Sequence, residues 1–467
     1  MAYAFKVVHT DKDRVNFDLA NPHSLTAVSP IDGRYTGKTA DLRSYFSEAA
    51  LMRYRLAIEV EYLIVLRKLR DKMPQMADFP LSQKKKLVKL YQNFSLEDAK
   101  RVKEIEKITN HDVKAIEYFL KEKMVDLGLG KWKEFVHFGL TSQDITNMAL
   151  PLMMKDATEQ VYLPLLSDLI RALNIQSEKW IKFPLLSLTH GQPASPKRLG
   201  REIRVFIERL EWQQQKLDDM QYFGKFGGAT GDFNAHHVAY PEVDWKKLAN
   251  KFVHHKGLMR QQATTQIAHY DGIAEWCDTI KRINTIILDL NQDMWLYVSR
   301  DVFKLQVNDR ETGSSAMPHK VNPIDFENSE GNVHAANAIF EMLARTLPVS
   351  RMQRDLSDST LTRNLGVPLA HSVIALKSTL RGLGKIEPNE TTMMAELDTN
   401  WAVVTEGIQT ILRREGFSEP YETIKQLTRG KKVNQEVIHN IIESLEIDDS
   451  IKDELKAITP WSYIGMI

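Results

Sequence analysis

Cysteine is almost absent from this sequence, which has a single one at position 277. One cysteine cannot form an intramolecular disulfide bond, so a disulfide-stapled secreted fold is excluded and a reducing compartment is favoured. No run of about 18 consecutive apolar residues is present, as a membrane-spanning helix would require. Charged residues at 11–14 interrupt the stretch in which a signal peptide would need its apolar core. We therefore expect a cytoplasmic protein.

An excess of charge of either sign is also missing. Lys plus Arg number 62 and Asp plus Glu number 61, which gives a net charge of +1. This balance gives no reason to expect nucleic acid or an anionic membrane as the main partner. The chain has 467 residues, of which 43% are hydrophobic and 26% charged. It is therefore of globular composition and too long for one ordinary core, so two or three domains are expected.

Glycine is scarce, and long stretches without glycine or proline favour helices. Between Ile273 and Thr312 neither residue occurs, while apolar residues recur every three or four positions, as in an amphipathic helix. Similar patterns occupy 158–180, 197–222, 323–347 and 359–383. A helix of about 35–40 residues would be about 55–60 Å long, and one domain could hardly cover its apolar stripe. The sequence thus predicts an all-α protein whose long helices form an oligomeric bundle.

The pattern divides the chain into three predicted domains. Residues 1–130 form an N-terminal helical domain whose first 23 residues are a flexible extension, residues 131–383 form the central long-helix domain, and residues 384–467 form a small C-terminal helical domain. The glycine-rich segment 224–231 lacks the Gly-Lys-Ser/Thr ending of a phosphate-binding Walker loop. We interpret it as a flexible crossing between two helices.

Three polar segments are each predicted to enter a helix. Residues 313–323 read GSSAMPHKVNP, residues 189–196 read THGQPASP, and residues 141–144 read TSQD. In the first, Asn322 is a suitable N-cap and Pro323 a suitable first helical residue. Ser-Pro ends the second in the same way, and the third resembles a capping box with Asp in place of Glu.

Helix N-termini attract anions, because their N–H groups are unpaired and the helix dipole is positive there. Three such ends carrying Ser, His, Lys, Asn and Thr predict a site for a substrate with several carboxylates or a phosphate. The alternative is that these segments are ordinary caps. For 141–144 taken alone this alternative is the stronger one. For 313–323 it is weaker, because a plain cap does not need two serines, a lysine and an asparagine.

The segment 313–322 resembles the signature of the fumarase/aspartase superfamily, whose members eliminate fumarate from succinyl-type substrates. Segments 24–35, 109–115 and 323–328 look like the bacterial-type adenylosuccinate lyases of that superfamily. The resemblance runs from about residue 24 to the C-terminus. It implies a nearly all-α, three-domain subunit, and a homotetramer whose active sites combine loops of three subunits. The implied reaction needs no cofactor or metal: fumarate leaves a succinylated amine of a purine nucleotide, with AMP or the aminoimidazole carboxamide ribotide as the other product.

The resemblance also implies the two catalytic groups. Ser314 is the base that removes a proton from the succinyl carbon, and His190 is the acid that protonates the departing amine. A serine hydroxyl is a poor base in water, so its ionised form needs support from neighbouring donors such as Lys320. An imidazole can be protonated near neutral pH and can deliver that proton. The alternatives are a loop-stabilising serine and a structural histidine.

Further residues match the family's substrate-binding positions. Lys320 and Asn322 are expected to hold the succinyl carboxylates, and the arginines are expected to hold the phosphate, since the planar guanidinium suits phosphate. The expected substrate-binding residues are Arg34, Tyr35, Asn110, His111, Asp112, Thr141, Ser142, Gln266, Ser315, Lys320, Val321, Asn322, Asn328, Arg354, Ser359, Thr360 and Arg363.

The other histidines carry weaker signals. His137 either belongs to the pocket or packs beside the 141–144 turn, and the sequence leaves both interpretations open. His236, His237, His254 and His255 form no recognisable metal pattern. We interpret these four as surface or structural residues.

Three rival functions remain open on the sequence alone. The first is another lyase of the superfamily, acting on argininosuccinate, aspartate or malate. The second is a catalytically silent structural protein with a lyase fold, and the third is a nucleotide-binding regulatory module. Fumarate release from adenylosuccinate distinguishes all three from the main prediction.

Overall fold

The computed structural model describes residues 24–306, 317, 320–430 and 433–466. Within these residues the chain is mostly helical, as the sequence predicts, and its few strands are short. Residues 1–23 lie outside the described residues, and so do Ser314 and Ser315 of the signature segment. No helix in the described part is both long and apolar enough to cross a membrane.

The N-terminal region is built on one long buried helix. Helix α3 is capped by Ser47, whose side chain accepts a hydrogen bond from the N–H of Ala50. Helix α5 opens on a capping box formed by Ser95 and Asp98 and ends at Asn110, which has left-handed backbone angles. The helices of this region are α1 (Thr36–Thr39), α2 (Arg43–Phe46), α3 (Glu48–Leu66), α4 (Lys84–Gln92), α5 (Leu96–Thr109) and α6 (Asp112–Asp126).

The central region contains the long helices. A π-helical turn at Thr158–Tyr162 joins α7 to α8, so that helical structure runs without a break from residue 142 to residue 179. Helix α13 packs along both α12 and α15, and α9 packs along α8 and α12. These helices are α7 (Ser142–Ala157), α8 (Leu163–Lys179), α9 (Leu199–Asp218), α10 (Asn234–Ala239), α11 (Trp245–His255), α12 (Asp271–Ser299), α13 (Ile324–Thr346), α14 (Ser357–Thr362) and α15 (Gly366–Leu383).

The longest helix is shorter than predicted. Helix α12 has 29 residues and ends at Ser299, so it is about 44 Å long rather than 55–60 Å. Asp301 then takes a positive φ of 59°, and Phe303–Leu305 forms an extended strand that pairs antiparallel with Ile386–Pro388. The sequence has no glycine or proline that would mark this end of the helix. The helix ends there because the following residues pair with a strand about 80 residues away.

The segment predicted to enter α9 through a Ser-Pro cap is instead a β-hairpin. Strand β1 (Pro184–Thr189) pairs antiparallel with strand β2 (Gln192–Arg198), so Ser195 and Pro196 lie within a strand and α9 begins only at Leu199. His190 and Gly191 form the two-residue turn, with φ values of 55° and 72°. Two consecutive positive φ angles are typical of the tight turns that match the twist of a hairpin.

The glycine-rich segment is buried rather than a flexible crossing. Strand β3 (Phe223–Gly224) pairs in parallel with β4 (Met259–Arg260), and the chain then folds back on itself. A Cβ atom on Gly227 would lie 2.6 Å from the carbonyl oxygen of Gly231. Close packing therefore excludes a side chain at Gly227. At Gly231 a side chain is also disfavoured by the backbone, which has a φ of +97°.

Two hydrophobic cores organise the chain. The first draws on residues from Ile31 to Met393, and the second on residues from Trp401 to Leu455. The domain boundaries expected near 130 and 384 remain predictions. Strands β5 (Phe303–Leu305) and β6 (Ile386–Pro388) lead into α16 (Glu390–Asp398), α17 (Thr405–Arg414), α18 (Pro420–Thr428), α19 (Gln435–Glu443) and α20 (Asp449–Lys456).

Candidate active site

The end of the signature segment lies at the start of α13, one residue away from the predicted position. The residue before the helix is Pro323, with Ile324 as the first helical residue, and no side chain caps this end. Asn322 is therefore not the N-cap. The difference is within the usual uncertainty of a helix boundary, and a proline can occupy the flanking position because it needs no hydrogen bond there. Lys320 and Val321 are exposed just ahead of it.

Five of the expected binding residues form one hydrogen-bonded cluster. Arg354 donates from Nη1 to Oε1 of Gln266 and from Nη2 to Oγ of Ser359, each at 3.1 Å. Arg363 donates from Nη1 to the carbonyl oxygen of Ser359 at 2.7 Å and from Nη2 to Oδ2 of Asp112 at 2.9 Å. We call these five residues the arginine cluster. It gathers groups that are up to 251 residues apart in sequence.

A buried arginine completes this cluster, and the sequence analysis missed it. Arg55 lies on α3 with only 6% of its side chain exposed and donates to Oδ2 of Asp112 at 2.8 Å. Burial raises the pKa of Asp112, but Arg55 and then Arg363 outweigh that effect and hold it below its usual value. An arginine among the apolar residues of a buried helix is the sequence signal that could have identified it.

The arginine cluster borders a cavity of about 170 Å³. Arg55, Ser359 and Arg363 contribute to its lining, with Thr146 on α7 and Ser47 ahead of α3. Two guanidinium groups and three hydroxyl groups at one cavity can hold an anion such as a phosphate.

A second set of buried polar groups contacts Arg354 and connects the arginine cluster to α7. Tyr270 donates to Oδ2 of Asp358 at 2.7 Å and accepts from Nδ2 of Asn147 at 3.0 Å. Asp358 in turn lies 3.6 Å from Arg354. Burial and the adjacent Asp358 carboxylate raise the pKa of Tyr270 well above its usual value, so it stays a donor. Through Asn147 the cluster is tied to α7, the helix that begins at the predicted Thr141–Ser142 site.

Tyr35 and Asn328 meet at a second place. Nδ2 of Asn328 donates to the Tyr35 hydroxyl at 3.0 Å, and its Oδ1 accepts from Ser378 at 2.9 Å. Burial acts to raise the pKa of Tyr35, but the side-chain hydrogen bonds of Asn328 and Asn332 outweigh it and keep the pKa below its usual value. Arg34 is exposed and lowers the same pKa further. Tyr35 is thus held against α13 by Asn328.

The predicted capping box at the start of α7 is present. The N–H of Thr141 donates to Oδ2 of Asp144 at 2.9 Å. Asp144 is fully buried, and it also accepts from Nζ of Lys225 and from the N–H of Gly227, both at 2.8 Å, and from the N–H of Gly228. This carboxylate therefore ties the Thr141–Ser142 end of α7 to the glycine-rich segment, a function that sequence spacing does not indicate.

His137 forms a buried ion pair with carboxylates just before the 141–144 turn. Its Nδ1 lies 2.5 Å from Oε1 of Glu59, and its Nε2 lies 3.8 Å from Glu117. Burial acts to lower the pKa of His137, but attraction to Glu59 and Glu117 outweighs it and raises the pKa. Of the two interpretations left open, the contacts favour packing beside the turn.

The remaining histidines are placed as follows. Nδ1 of His111 accepts from the N–H of Lys114 at 3.1 Å, so His111 caps α6 and its half-exposed ring lies next to Asp112. His236 is buried against Tyr62, while His237, His254 and His255 are exposed. Among the described residues no group of three or more His, Cys, Asp or Glu side chains is positioned to hold a metal ion.

His190 is separated from all these groups within one chain. It is exposed at the tip of the β1–β2 hairpin, and no hydrogen bond or ion pair in the described part of the chain joins it to the arginine cluster or to Tyr35. The hairpin packs against α16 and against the Trp401–Val404 turn, and Ser195 hydrogen-bonds Glu406. Asn110 and Thr360 are also exposed.

Known proteins similar to this chain cover nearly its whole length. Residues 33–339 match a family model described as lyase, and residues 350–464 match one described as adenylosuccinate lyase C-terminal. The chain is 51% identical to adenylosuccinate lyase of Dictyostelium discoideum over 95% of this chain and 97% of the relative. It is 46% identical to adenylosuccinate lyase of Escherichia coli, again over 95% and 97%.

Solved structures with a similar fold are much more distant in sequence. The 3-carboxy-cis,cis-muconate lactonizing enzyme of Pseudomonas putida superposes with a TM-score of 0.72 at 18% identity, covering 91% of this chain and 94% of that one. The β-carboxy-cis,cis-muconate cycloisomerase of Acinetobacter calcoaceticus gives 0.67 at 16% identity, over 91% and 95%. At this identity the likeness concerns the fold alone.

Proposed function

This chain belongs to the adenylosuccinate lyase family, and we propose on that premise that it eliminates fumarate from adenylosuccinate to give AMP. The observation that carries the proposal is the 51% identity over nearly the full length of a relative of that name. The arginine cluster supports it, because a nucleotide substrate brings a phosphate that needs fixed cations. The succinylated aminoimidazole carboxamide ribotide is proposed as a second substrate of the same site.

The reaction breaks a carbon–nitrogen bond with two proton transfers. We assign to Ser314 the removal of a proton from the succinyl carbon next to a carboxylate, and to His190 the protonation of the departing amine. Negative charge develops on that carboxylate as the proton leaves, so donors that already point at it lower the barrier. Lys320 and Asn322, at the entrance to α13, are assigned this role together with Thr141 and Ser142.

The phosphate is assigned to the arginine cluster, with Arg34 and Tyr35 as further contacts. Asp112 holds Arg363 in place, and Ser359 and Gln266 orient Arg354. These contacts within the chain fix the guanidinium groups, so they need little reorganisation when the phosphate binds, and preorganised donors cost less on binding. His111, Asn110, Asn328, Ser315, Val321 and Thr360 are assigned to the walls of the same site.

We further propose a cytoplasmic homotetramer whose active sites are shared between subunits. The exposure of His190, away from the arginine cluster, supports this arrangement. Large apolar side chains also remain exposed on the long helices, among them Trp212 on α9 and Trp295 on α12, at 66% and 42%. Such residues are typical of helices that pack against another subunit. Analytical ultracentrifugation should find a tetramer, and a stable monomer would refute the arrangement.

The activity is tested by the release of fumarate in an ultraviolet assay. The purified protein should convert adenylosuccinate and leave argininosuccinate, aspartate and malate unchanged. The variant Ser314→Ala should bind adenylosuccinate but turn it over at least a hundredfold more slowly, within the 10²–10⁴-fold range of general acid–base catalysis. Turnover of argininosuccinate, aspartate or malate instead of adenylosuccinate would refute the proposed substrate. Near wild-type kcat in Ser314→Ala would remove Ser314 as the base.

A further inference from the structure

A cationic cleft lies between the end of α3 and helix α11, and none of its residues belongs to the proposed active site. Its volume is about 570 Å³, within the 300–1,000 Å³ range of small-molecule sites. We call it the lysine cleft. It is lined by Glu61, Val65, Lys68, Leu69, Lys72, Val243, Asp244, Lys247, Leu248, Lys251, Phe252 and His255.

The acidic groups of the cleft are already engaged within the protein. Glu61 pairs with Lys256 at 2.5 Å and accepts from the Tyr91 hydroxyl at 2.8 Å. Burial acts to raise the pKa of Glu61, but these two hydrogen bonds outweigh it and lower the pKa, so Glu61 stays ionised and paired. Asp244 caps α11 by accepting from the N–H of Lys247. Lys256 therefore neutralises Glu61, and the single charge of Asp244 is outnumbered by the four lysines that line the cleft.

The lysines, in contrast, lack such partners. Lys68, Lys247 and Lys251 are exposed, and within the described residues none of them forms an ion pair with a carboxylate. Lys247, Lys251 and His255 follow one another at four-residue intervals, so they share a face of α11. From Lys247 to His255 this stripe is about 12 Å long, which is longer than a single phosphate or carboxylate group can reach.

The floor of the cleft is apolar. Val243 and Phe252 are buried, while Val65, Leu69 and Leu248 are half-buried. A small anion such as inorganic phosphate would leave this apolar surface exposed to water. A ligand that joins a chain of negative groups to a flat, largely apolar body would use both parts of the cleft, because the apolar surface gains free energy on burial.

We propose that the lysine cleft binds a nucleoside polyphosphate, with the phosphates along Lys247, Lys251 and Lys68 and the base against the half-buried Leu69 and Leu248. The length of the cationic stripe favours a polyphosphate over a single anion. The apolar floor favours an attached base over a bare phosphate chain.

Calorimetric titration with ATP, at constant ionic strength and without added metal, tests this proposal. The matched variants are Lys251→Glu, in the cleft, and Lys246→Glu, the same charge change on an exposed residue of α11 that does not line it. ATP should bind the wild type and Lys246→Glu equally and Lys251→Glu at least tenfold more weakly. Equal affinity for all three proteins would overturn the proposal.

Two further titrations separate the parts of the proposal. Inorganic tripolyphosphate should bind at least tenfold more weakly than ATP, and equal affinity would overturn the role of the apolar floor. The double variant Arg354→Met/Arg363→Met should keep the ATP binding of the wild type. Loss of ATP binding there would place the ligand in the proposed active site instead, and would overturn the cleft without affecting the proposed reaction.

Discussion

The arginine cluster and the tip of the β1–β2 hairpin are assigned to opposite ends of the substrate, and they are built in opposite ways. In the cluster every charged group has a partner in the same chain: Asp112 holds Arg55 and Arg363, and Gln266 and Ser359 hold Arg354. At the hairpin tip, His190 is exposed on a two-residue turn. In the proposed tetramer, one chain would therefore supply the phosphate end of the site and another subunit would supply the acid.

The largest expected effect concerns the hairpin. His190→Ala should lower kcat 10²–10⁴-fold, the usual contribution of a general acid, while KM changes little because the phosphate contacts remain. Stopped-flow or steady-state kinetics on adenylosuccinate measure both constants. Gln192→Ala, an exposed residue of the same hairpin, serves as the control and should keep most of the activity. A kcat within threefold of wild type in His190→Ala would assign the acid to another residue.

Subunit mixing then tests whether the two regions meet across an interface. At substrate concentrations below the wild-type KM, His190→Ala and the double variant Arg354→Met/Arg363→Met should each be nearly inactive alone. After the two proteins are mixed under conditions that exchange subunits, some sites combine an intact hairpin with an intact cluster, so activity should return. If both regions serve a site of the same subunit, every site keeps one defect and the mixture stays inactive.

A smaller effect is expected within the arginine cluster. Arg363→Met should raise KM roughly 10- to 100-fold with a smaller change in kcat, because a charged hydrogen bond contributes about 1.5–3 kcal/mol and phosphate binding is retained in the transition state. Arg101→Met is a matched control, since Arg101 is 47% exposed and Arg363 44%, and each pairs with a carboxylate. A fall in kcat with an unchanged KM would contradict a phosphate-binding role.

How far the sequence predicted these two regions differs for physical reasons. The residues of the cluster were identified one by one from matching segments, but their assembly was not, because Asp112 and Arg363 are 251 positions apart and nothing local to either predicts that contact. Arg55 was missed altogether. Its signal was a charged residue on a buried helix, which indicates that a partner must exist without saying which one.

At the hairpin the sequence pattern indicated the wrong local structure. Ser195 and Pro196 were interpreted as a helix start, although Leu185, Ser187 and Leu188 precede them in a short run that also suits a strand. The sequence signal that distinguishes the hairpin from a helix start is Gly191, since glycine at the second turn position favours a tight hairpin. In the structure both His190 and Gly191 have positive φ values. The length of helix α12 was overestimated for a related reason. Its end depends on strand pairing, which the spacing of apolar residues along a helix does not reveal.

The smallest expected effect concerns stability at the buried pair of His137 and Glu59, which packs beside the start of α7. Because the folded pKa of His137 is raised above its ordinary value of 6.5, the pair stabilises the fold fully below pH 6.5. This contribution is lost as the pH rises through the folded pKa. Glu59→Gln should therefore be about 1–3 kcal/mol less stable than wild type at pH 6, and the difference should shrink at pH 9.

Urea unfolding at the two pH values measures this difference, with Glu122→Gln as the control. Glu122 is 45% exposed and pairs with Arg101, and surface pairs contribute little, so its substitution should change stability by less than about 1 kcal/mol at either pH. A Glu59→Gln defect that is the same at pH 6 and pH 9 would mean that His137 is not charged in the folded protein. Hydrogen bonds such as the one from the N–H of Thr141 to Asp144 would then hold the 137–141 turn without help from an ion pair.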